Sequence, residues 1–593
     1  MRKKPNVIVL LTDDQGYGDI GAHGNPWVNT PNLDWMSENA ISFEDYHTDP
    51  LCAPARSALM SGRYSFGAGV YSTLNGRYFM RPDIKTMANY FKEGGYATGM
   101  FGKWHLGDTY PYHPENRGFD VAYSFGGGVI GETPDYWNNN YYDDVYTVNG
   151  KETRFEGYCT DVWFDSAKQF MDEQIEQEKP FFCYLPTNAP HGPYNVDASY
   201  YQKYIDMELP EKRARFLGMI ECVDKNIGDL INFLREKDEF ENTILVYFGD
   251  NGTSDGCSVQ EDGRVIDGYN AGMRGKKGTT YEGAHRNACF MTTPGKLLGE
   301  PRKIYGITSH MDLLPTFIDL CNLPKGEDLD GISMAKALQD GEVQLNSGRT
   351  LVIHNMQRDM PQKFKDYTVL KDNIRLVRPL TNESNPFLLG SFGSSVDVDP
   401  EIYDIVKDPS EEKDCFDEYK ELAVELTRYY EEWYDERLED AMKYSPIYLT
   451  KDHPVKMTCH AWHECTKMCF SQENIRQGVD GNGYFSIKVE DAAKYRFELR
   501  RYPRETNLPL RATCDKMEKN EQIYEEWCQG RAYDIVSADI RVAGKKAMVD
   551  INKDDTKAVF ELELPKGEYH LRTRFFLENG KSIGAYYVYA EAM

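Results

Sequence analysis

The chain of 593 residues is too long for one compact core, so two or three domains are expected. Hydrophobic residues at 40% and aromatics at 13% suit a globular protein, and no apolar run approaches the length that spans a bilayer, which excludes a helical membrane protein. A formal net charge of −27 argues against a nucleic-acid partner and would repel an anionic substrate, unless a cationic pocket acts inside the roughly 8–10 Å over which salt screens the remote field.

The opening "MRKKPNVIVLLTDDQG" has a basic start, but its apolar run, Val7 to Leu11, is too short for a signal peptide and ends without a small-residue cleavage site. It reads as a buried strand, and the chain as written is expected in the cytoplasm, or in the periplasm or outside the cell if a leader has been removed. "TMANYFKEGGYATGMFGKWH" predicts a helix, a Gly-Gly stop and a strand at Ala97 to Phe101. "KPFFCYLPTNAPH" is another apolar run, "EKRARFLGMIECVDKNIGDLINFLREK" has helical spacing, and "NTILVYFGDNG" is a strand ending in polar residues. This alternation over residues 1–344 predicts an α/β domain with a large, mostly parallel sheet covered by helices. Residues 345–445 predict a small antiparallel sheet with a packed helix. There "YTVLKDNIRLVRP" reads as a hairpin around Lys371-Asp372-Asn373, and "CFDEYKELAVELTRYYEEWYDERLEDAMK" as a long amphipathic helix. Residues 446–593 alternate in "GYFSIKVEDAAKYRFELRRYP" and "AVFELELPKGEYHLRTRFF", predicting a β-sandwich module.

The thirteen cysteines are odd in number and scattered, which does not describe a disulfide framework. The densest run, "CHAWHECTKMC" with Cys459, His460, His463 and Cys469, matches no zinc spacing and reads as buried thiols. In an open parallel sheet, ligands bind beyond the carboxyl ends of the strands. Those ends deliver Asp13 and Asp14, then Lys103 and His105, then His191, then Asp250 and Asn251. Any one of these is an ordinary polar loop residue; four strand ends together are not. Asp13, Asp14, Asp250 and Asn251 are oxygen donors, suited to calcium or magnesium and not to zinc. "MRGKKGTTYEGAHR" is a glycine-rich basic loop that lets backbone approach an anion, with no Gly-Lys-Ser/Thr step of a nucleotide loop.

Taken in order, these pieces resemble the sulfatase family (arylsulfatase-like, within the alkaline-phosphatase-like superfamily) from about Asn6 to about Asp408. "TDPLCAPARSALMSGR" matches its Cys-x-Pro-x-Arg signature at Cys52, Pro54 and Arg56, and "FGKWHLG", "NAPHGPY", "FGDNG" and "RGKKGTTYEG" match further blocks. The resemblance implies that a separate maturation enzyme, a transient partner, oxidises Cys52 to formylglycine. One hydroxyl of the hydrated aldehyde would attack sulfur, and the other would then expel sulfate. It implies that Asp13, Asp14, Asp250 and Asn251 bind one calcium ion, with magnesium as the alternative, and that Arg56 holds the modified side chain. It further implies that Lys103 and Lys277 grip the sulfate, His105 accepts a proton and His191 donates one to the leaving oxygen.

The family loop usually reads Arg-Gly-Gly-Lys-Gly and ends Glu-Gly-Gly-x-Arg. Here Lys276 replaces the second glycine, and Ala284 and His285 precede Arg286. A phosphonate monoester hydrolase or phosphodiesterase on the same fold is the alternative enzyme, while Asp250-Asn251 without a following histidine argues against a two-metal phosphatase. A glycan-binding protein using Tyr484, Tyr495 and Tyr502 as exposed platforms is the non-enzymatic alternative; the favoured role of the last region is to pack on the catalytic domain and shape its rim. The long, insertion-like "RGFDVAYSFGGGVIGETPDYWNNNYYDDVYTVNG" is rich in Tyr, Trp, Asn and Asp, which favours a sulfated carbohydrate over a simple aryl ester. Nothing in the sequence sets an oligomeric state.

Overall fold

The computed structural model describes residues 4–293, 297–379 and 399–593; the first three residues of the opening stretch, three residues of the 1–344 region and 380–398 of the 345–445 region lie outside the described residues. Ten strands form the main sheet: β1 (Asn6–Thr12), β2 (Ile41–Phe43), β3 (Ala97–Gly102), β4 (Val121–Ser124), β5 (Val145–Val148), β6 (Lys151–Arg154), β7 (Phe181–Pro186), β8 (Thr243–Gly249), β9 (Cys289–Met291) and β10 (Arg302–Ile304). Their order is β10-β2-β9-β8-β1-β7-β3-β4-β5-β6. The central five, β8 to β4, run parallel. The sheet as a whole is mixed, because β9 opposes both its neighbours and β5–β6 form an antiparallel hairpin at the far edge. The stretch read as an insertion-like loop thus carries β4 and β5, each four residues long and too short to stand out as an apolar run.

β1, β3, β7 and β8 are buried along their whole length, as strands covered on both faces must be. The period-2 alternation divides β1 between two apolar layers. Val7, Val9 and Leu11 join Leu59 and Met60 of α1 (Cys52–Ser61) and, further along the chain, Leu313 and Phe317. Ile8 and Leu10 join Trp163 and Phe164 of α2 (Cys159–Glu176) and Ile220 and Val223 of α3 (Glu211–Glu236). Every strand end at the carboxyl edge is therefore clamped from both sides.

The small sheet is an antiparallel meander of Thr350–His354, Tyr367–Lys371, Ile374–Arg378 and Glu401–Asp404. Its hairpin pairs Lys371 with Ile374, and Asp372 turns the corner at φ 49°. The helix α4 (Lys420–Met442) lays Leu426, Tyr430 and Trp433 on Leu351, Val369 and Leu376.

From Ile447 onward the chain builds a six-stranded and a four-stranded sheet whose buried faces share one apolar cluster, the sandwich arrangement. That cluster is continuous with the α1 face of the main sheet. Tyr484, Tyr495 and Tyr502 are each 1% exposed, so they are not glycan platforms. Strand alternation turns Tyr495 inward, where it donates to the carbonyls of Leu449 and Asp491, while beyond the strand ends Tyr502 donates to that of Ala512 and Tyr484 stacks on His570 at 4.0 Å. In the Cys/His run, Cys459 and Cys469 have sulfurs 3.6 Å apart, while His463 turns to Asp359 at 2.9 Å and His460 to Glu132 at 3.1 Å. Among the described residues the run gathers no metal-ligand group. No helix among them is long and apolar enough to cross a membrane.

Trp462 is 1% exposed and fills the space over Gly483 and Gly584 beside Phe485 and Tyr586. Trp462→Ala is expected to cost about 3–5 kcal/mol, read as a lowered urea midpoint. A midpoint within experimental error of wild type would disprove the continuous core.

Candidate active site

Four turns at the carboxyl edge of the parallel strands converge on Cys52, the first residue of α1 and 2% exposed. Beyond β1, Asp13 and Asp14 are buried, and Asp14 takes a left-handed φ of 69°, a conformation that aspartate tolerates better than most residues. Its N–H donates to Asp250 Oδ1 at 3.0 Å, and its Oδ1 accepts from Asn251 Nδ2 at 3.0 Å, so the turns after β1 and β8 lock together. Cys52 Sγ lies 3.9 Å from Asp14 Oδ1.

Buried carboxylates need buried counter-charges. Arg56, one helical turn after Cys52, donates through Nε and Nη2 to Asp250 Oδ2 at 3.1 and 2.8 Å and through Nη1 to the Lys103 carbonyl at 2.9 Å. Lys103 Nζ donates to Asp13 Oδ2 at 2.7 Å, and Lys277 Nζ to Asp14 Oδ2 at 2.7 Å. His191 Nε2 lies 3.5 Å from Asp14 Oδ2. Burial alone would raise the Asp13 carboxyl, but Lys103, His191, Arg56 and Lys277 hold it far below the usual carboxylate range. Asp250 is different: burial and the Asp13 charge outweigh Arg56 and Lys103 and push it up to about 6. The acidic cluster is short of positive charge at that point.

Two oxygens of the cluster, Asp13 Oδ1 and Asn251 Oδ1, are buried without a hydrogen-bond donor. Asp13 and Asp250 with Cys52, and Asp14 and His191 with Cys52, form groups whose ligand atoms lie within 4.8 Å of one another. Orphaned oxygens beside an under-compensated carboxylate fit a hard divalent cation, which Asp13, Asp14, Asp250 and Asn251 could hold.

His105 sits at φ 58° just past β3, and its Nε2 meets the Thr73 carbonyl at 3.1 Å. A carbonyl only accepts, so Nε2 carries the hydrogen and Nδ1, buried and without a partner, keeps its lone pair. Burial first, then Lys103 and His460, hold this imidazole well below its ordinary pKa. Gly128 packs so closely on the ring that any Cβ there would overlap it. The basic loop is fixed by Lys277 N–H to the Thr253 carbonyl and Gly278 N–H to that of Pro50, while Lys276 donates to the Ser254 carbonyl at 2.7 Å. His285 lies away from the cavity, its Nδ1 3.0 Å from His47 Nδ1.

All ten residues singled out from the sequence therefore meet at one place, and Asp14, Cys52, Lys103, His105, His191 and Lys277 line a cavity of about 510 Å³. The sequence reading did not single out Glu132, Asn355, Gln357, Asp366 and Phe470 on the same wall, because each comes from a segment with no motif.

An α/β sheet with clustered oxygen ligands and cations at its carboxyl edge defines the alkaline-phosphatase-like class of hydrolases. Residues 5–323 match the sulfatase family model, and the chain belongs to the sulfatase family. It is 29% identical to arylsulfatase J of Mus musculus over 60% of this chain and 58% of that one, less than two thirds of the relative's length. It is 29% identical to N-acetylgalactosamine-6-sulfatase of Canis lupus familiaris over 57% of this chain and 67% of that one. Among solved structures it resembles Ps i-CgsB in complex with k-i-k-neocarrahexaose, at TM-score 0.63 and 27% identity over 74% of this chain and 94% of that one.

Calcium or magnesium is expected to raise the thermal midpoint of the chain, by about 2.7 kcal/mol of stabilisation at a hundred times Kd, and chelation to reverse it. Asp13→Asn and Asn251→Ala should each abolish the response in calorimetric scans. A wild-type midpoint indifferent to both ions would sink the metal site.

Proposed function

We propose that the chain hydrolyses a sulfate monoester borne by a carbohydrate, with Cys52 as the precursor of formylglycine and calcium held by Asp13, Asp14, Asp250 and Asn251. The observation that carries this reading is the state of Cys52. Burial pushes its thiol up to about 12, against the pull of Lys103 and Lys277, so at neutral pH it is a protonated thiol and a poor nucleophile. Yet it stands at the focus of two lysines, an arginine and four oxygen ligands. Such surroundings suit an oxygen nucleophile and an anionic substrate, and the oxidised side chain with its metal would supply the nucleophile and a Lewis acid.

The chain's own residues take the remaining tasks. Arg56, bridging Asp250 and the Lys103 carbonyl, fixes the start of α1 and with it position 52. Lys103 and Lys277 hold ammonium groups close enough to Cys52 to act on its thiol; both are held protonated by Asp13 and Asp14 and can turn to sulfate oxygens. These local cations answer the net charge of −27, because within the cavity they outweigh a screened, remote surface. His105, kept neutral with a free Nδ1, accepts a proton. His191 Nδ1 donates to the Gly192 carbonyl at 2.8 Å, so Nε2 at the cavity carries a proton for the leaving oxygen only in the imidazolium form, the form this role requires. Relatives named for N-acetylgalactosamine 6-sulfate support the carbohydrate reading.

Cys52→Ala should abolish turnover of p-nitrophenyl sulfate, and the Cys52 peptide of active wild type should show the mass of the oxidised residue. Lys103→Ala and Lys277→Ala should each cost about 10²–10³ in kcat. Turnover in Cys52→Ala refutes the mechanism, and a phosphonate ester hydrolysed orders of magnitude faster than any sulfate refutes the sulfatase assignment.

A further inference from the structure

Resting on the sulfatase reading, we propose that Glu132 is a specificity-determining residue: its carboxylate accepts a hydrogen bond from a hydroxyl of the sugar that carries the sulfate. Glu132 is 7% exposed and lines the cavity that holds Cys52. Its Oε2 accepts from the Gly128 N–H at 2.5 Å and lies 3.1 Å from His460 Nε2. Its Oε1 takes no donor from the protein among the described residues and is not a sealed atom, so it is the part with access to the cavity. A carboxylate pinned at one oxygen and open at the other is a pre-set acceptor.

The rest of this wall says what kind of donor it awaits. Asn355 donates through Nδ2 to the Gly278 carbonyl, and its Oδ1 is sealed beneath the surface, so it offers a ligand no acceptor beside Glu132 Oε1. Val129 and Phe470 are half-buried apolar surfaces on the same cavity, suited to the C–H face of a sugar ring. The charges at this end are already balanced: Glu132 by His460, Asp366 by Arg358 at 2.7 Å, and Lys212 by Asp255 at 3.0 Å. Lys276 is engaged by the Ser254 carbonyl. An ammonium or a second anionic group on the ligand would find no spare counter-charge, whereas a hydroxyl matches the open Glu132 Oε1. A bare aryl ester offers that acceptor no donor.

The test compares two probes on the matured full-length chain: p-nitrophenyl sulfate, and the fastest substrate from a panel of monosulfated galactose, N-acetylgalactosamine, N-acetylglucosamine and fucose. Glu132→Gln should lose about 10–100-fold in kcat/KM on the sugar, the worth of a hydrogen bond to a charged group, and at least tenfold less on the aryl ester. Deoxygenating the sugar one hydroxyl at a time should find one whose removal costs the wild type a similar factor and costs Glu132→Gln little more. Glu132→Asp keeps the charge opposite His460 while shortening the reach by a methylene; it should show the same split and serves if Glu132→Gln does not fold. An equal loss on both probes overturns the proposal, since Glu132 would then act only through the Gly128 contact with His105. No loss on either probe overturns it as well. A wild type inactive on every sulfate ester overturns the sulfatase reading itself, an outcome distinct from both.

Discussion

The arrangement rests on one electrostatic constraint. Three aspartates are withdrawn from water at the end of a sheet, and such charges persist only if opposite charges are withdrawn with them. Arg56, Lys103 and Lys277 meet that demand from three separate segments. Satisfying it draws α1, the turn after β3 and the basic loop onto the turns after β1 and β8. The same convergence sets Lys103 and Lys277 on the cavity lining and leaves two buried oxygens without a donor. Under the proposed function, stability and chemistry are the same interaction seen from opposite sides: removing a lysine would leave an uncompensated carboxylate and also loosen the hold on sulfate.

Much of this was legible from the letters, because the informative units are local. β1, β7 and β8 are unbroken apolar runs, and polar residues at their ends must lie at the carboxyl edge whatever else the fold does. The ten site residues lie in six short blocks, which are recognisable when read together and in order. What stayed hidden depends on distant pairings. Glu132, Asn355 and Phe470 are ordinary loop residues until the fold sets them on one wall. Alternation places Tyr495 on one face of its strand but does not reveal that a second sheet covers that face, so the expectation of an exposed tyrosine failed. The antiparallel β9 is three residues long, below the length at which a period can be read.

The last region is better described as part of the cavity than as an appendage. His460 holds Glu132, Phe470 lines the wall, and Gln472 donates to the carbonyls of Glu132 and Tyr136. Farther out, the Tyr524 N–H donates to Asn195, close to His191 in the chain. The rim is therefore stiffened by residues far in sequence from the groups that do the chemistry.

That long reach has a consequence for the order of events as the chain is made. Asn75 bonds the carbonyl of Trp462 across 387 residues, and Gln472 spans 340 to Glu132. Contacts so distant close late, after the main sheet has had time to form behind the ribosome. Until His460 and Gln472 have been synthesised, therefore, Glu132 lacks two of the partners that hold it in the finished molecule.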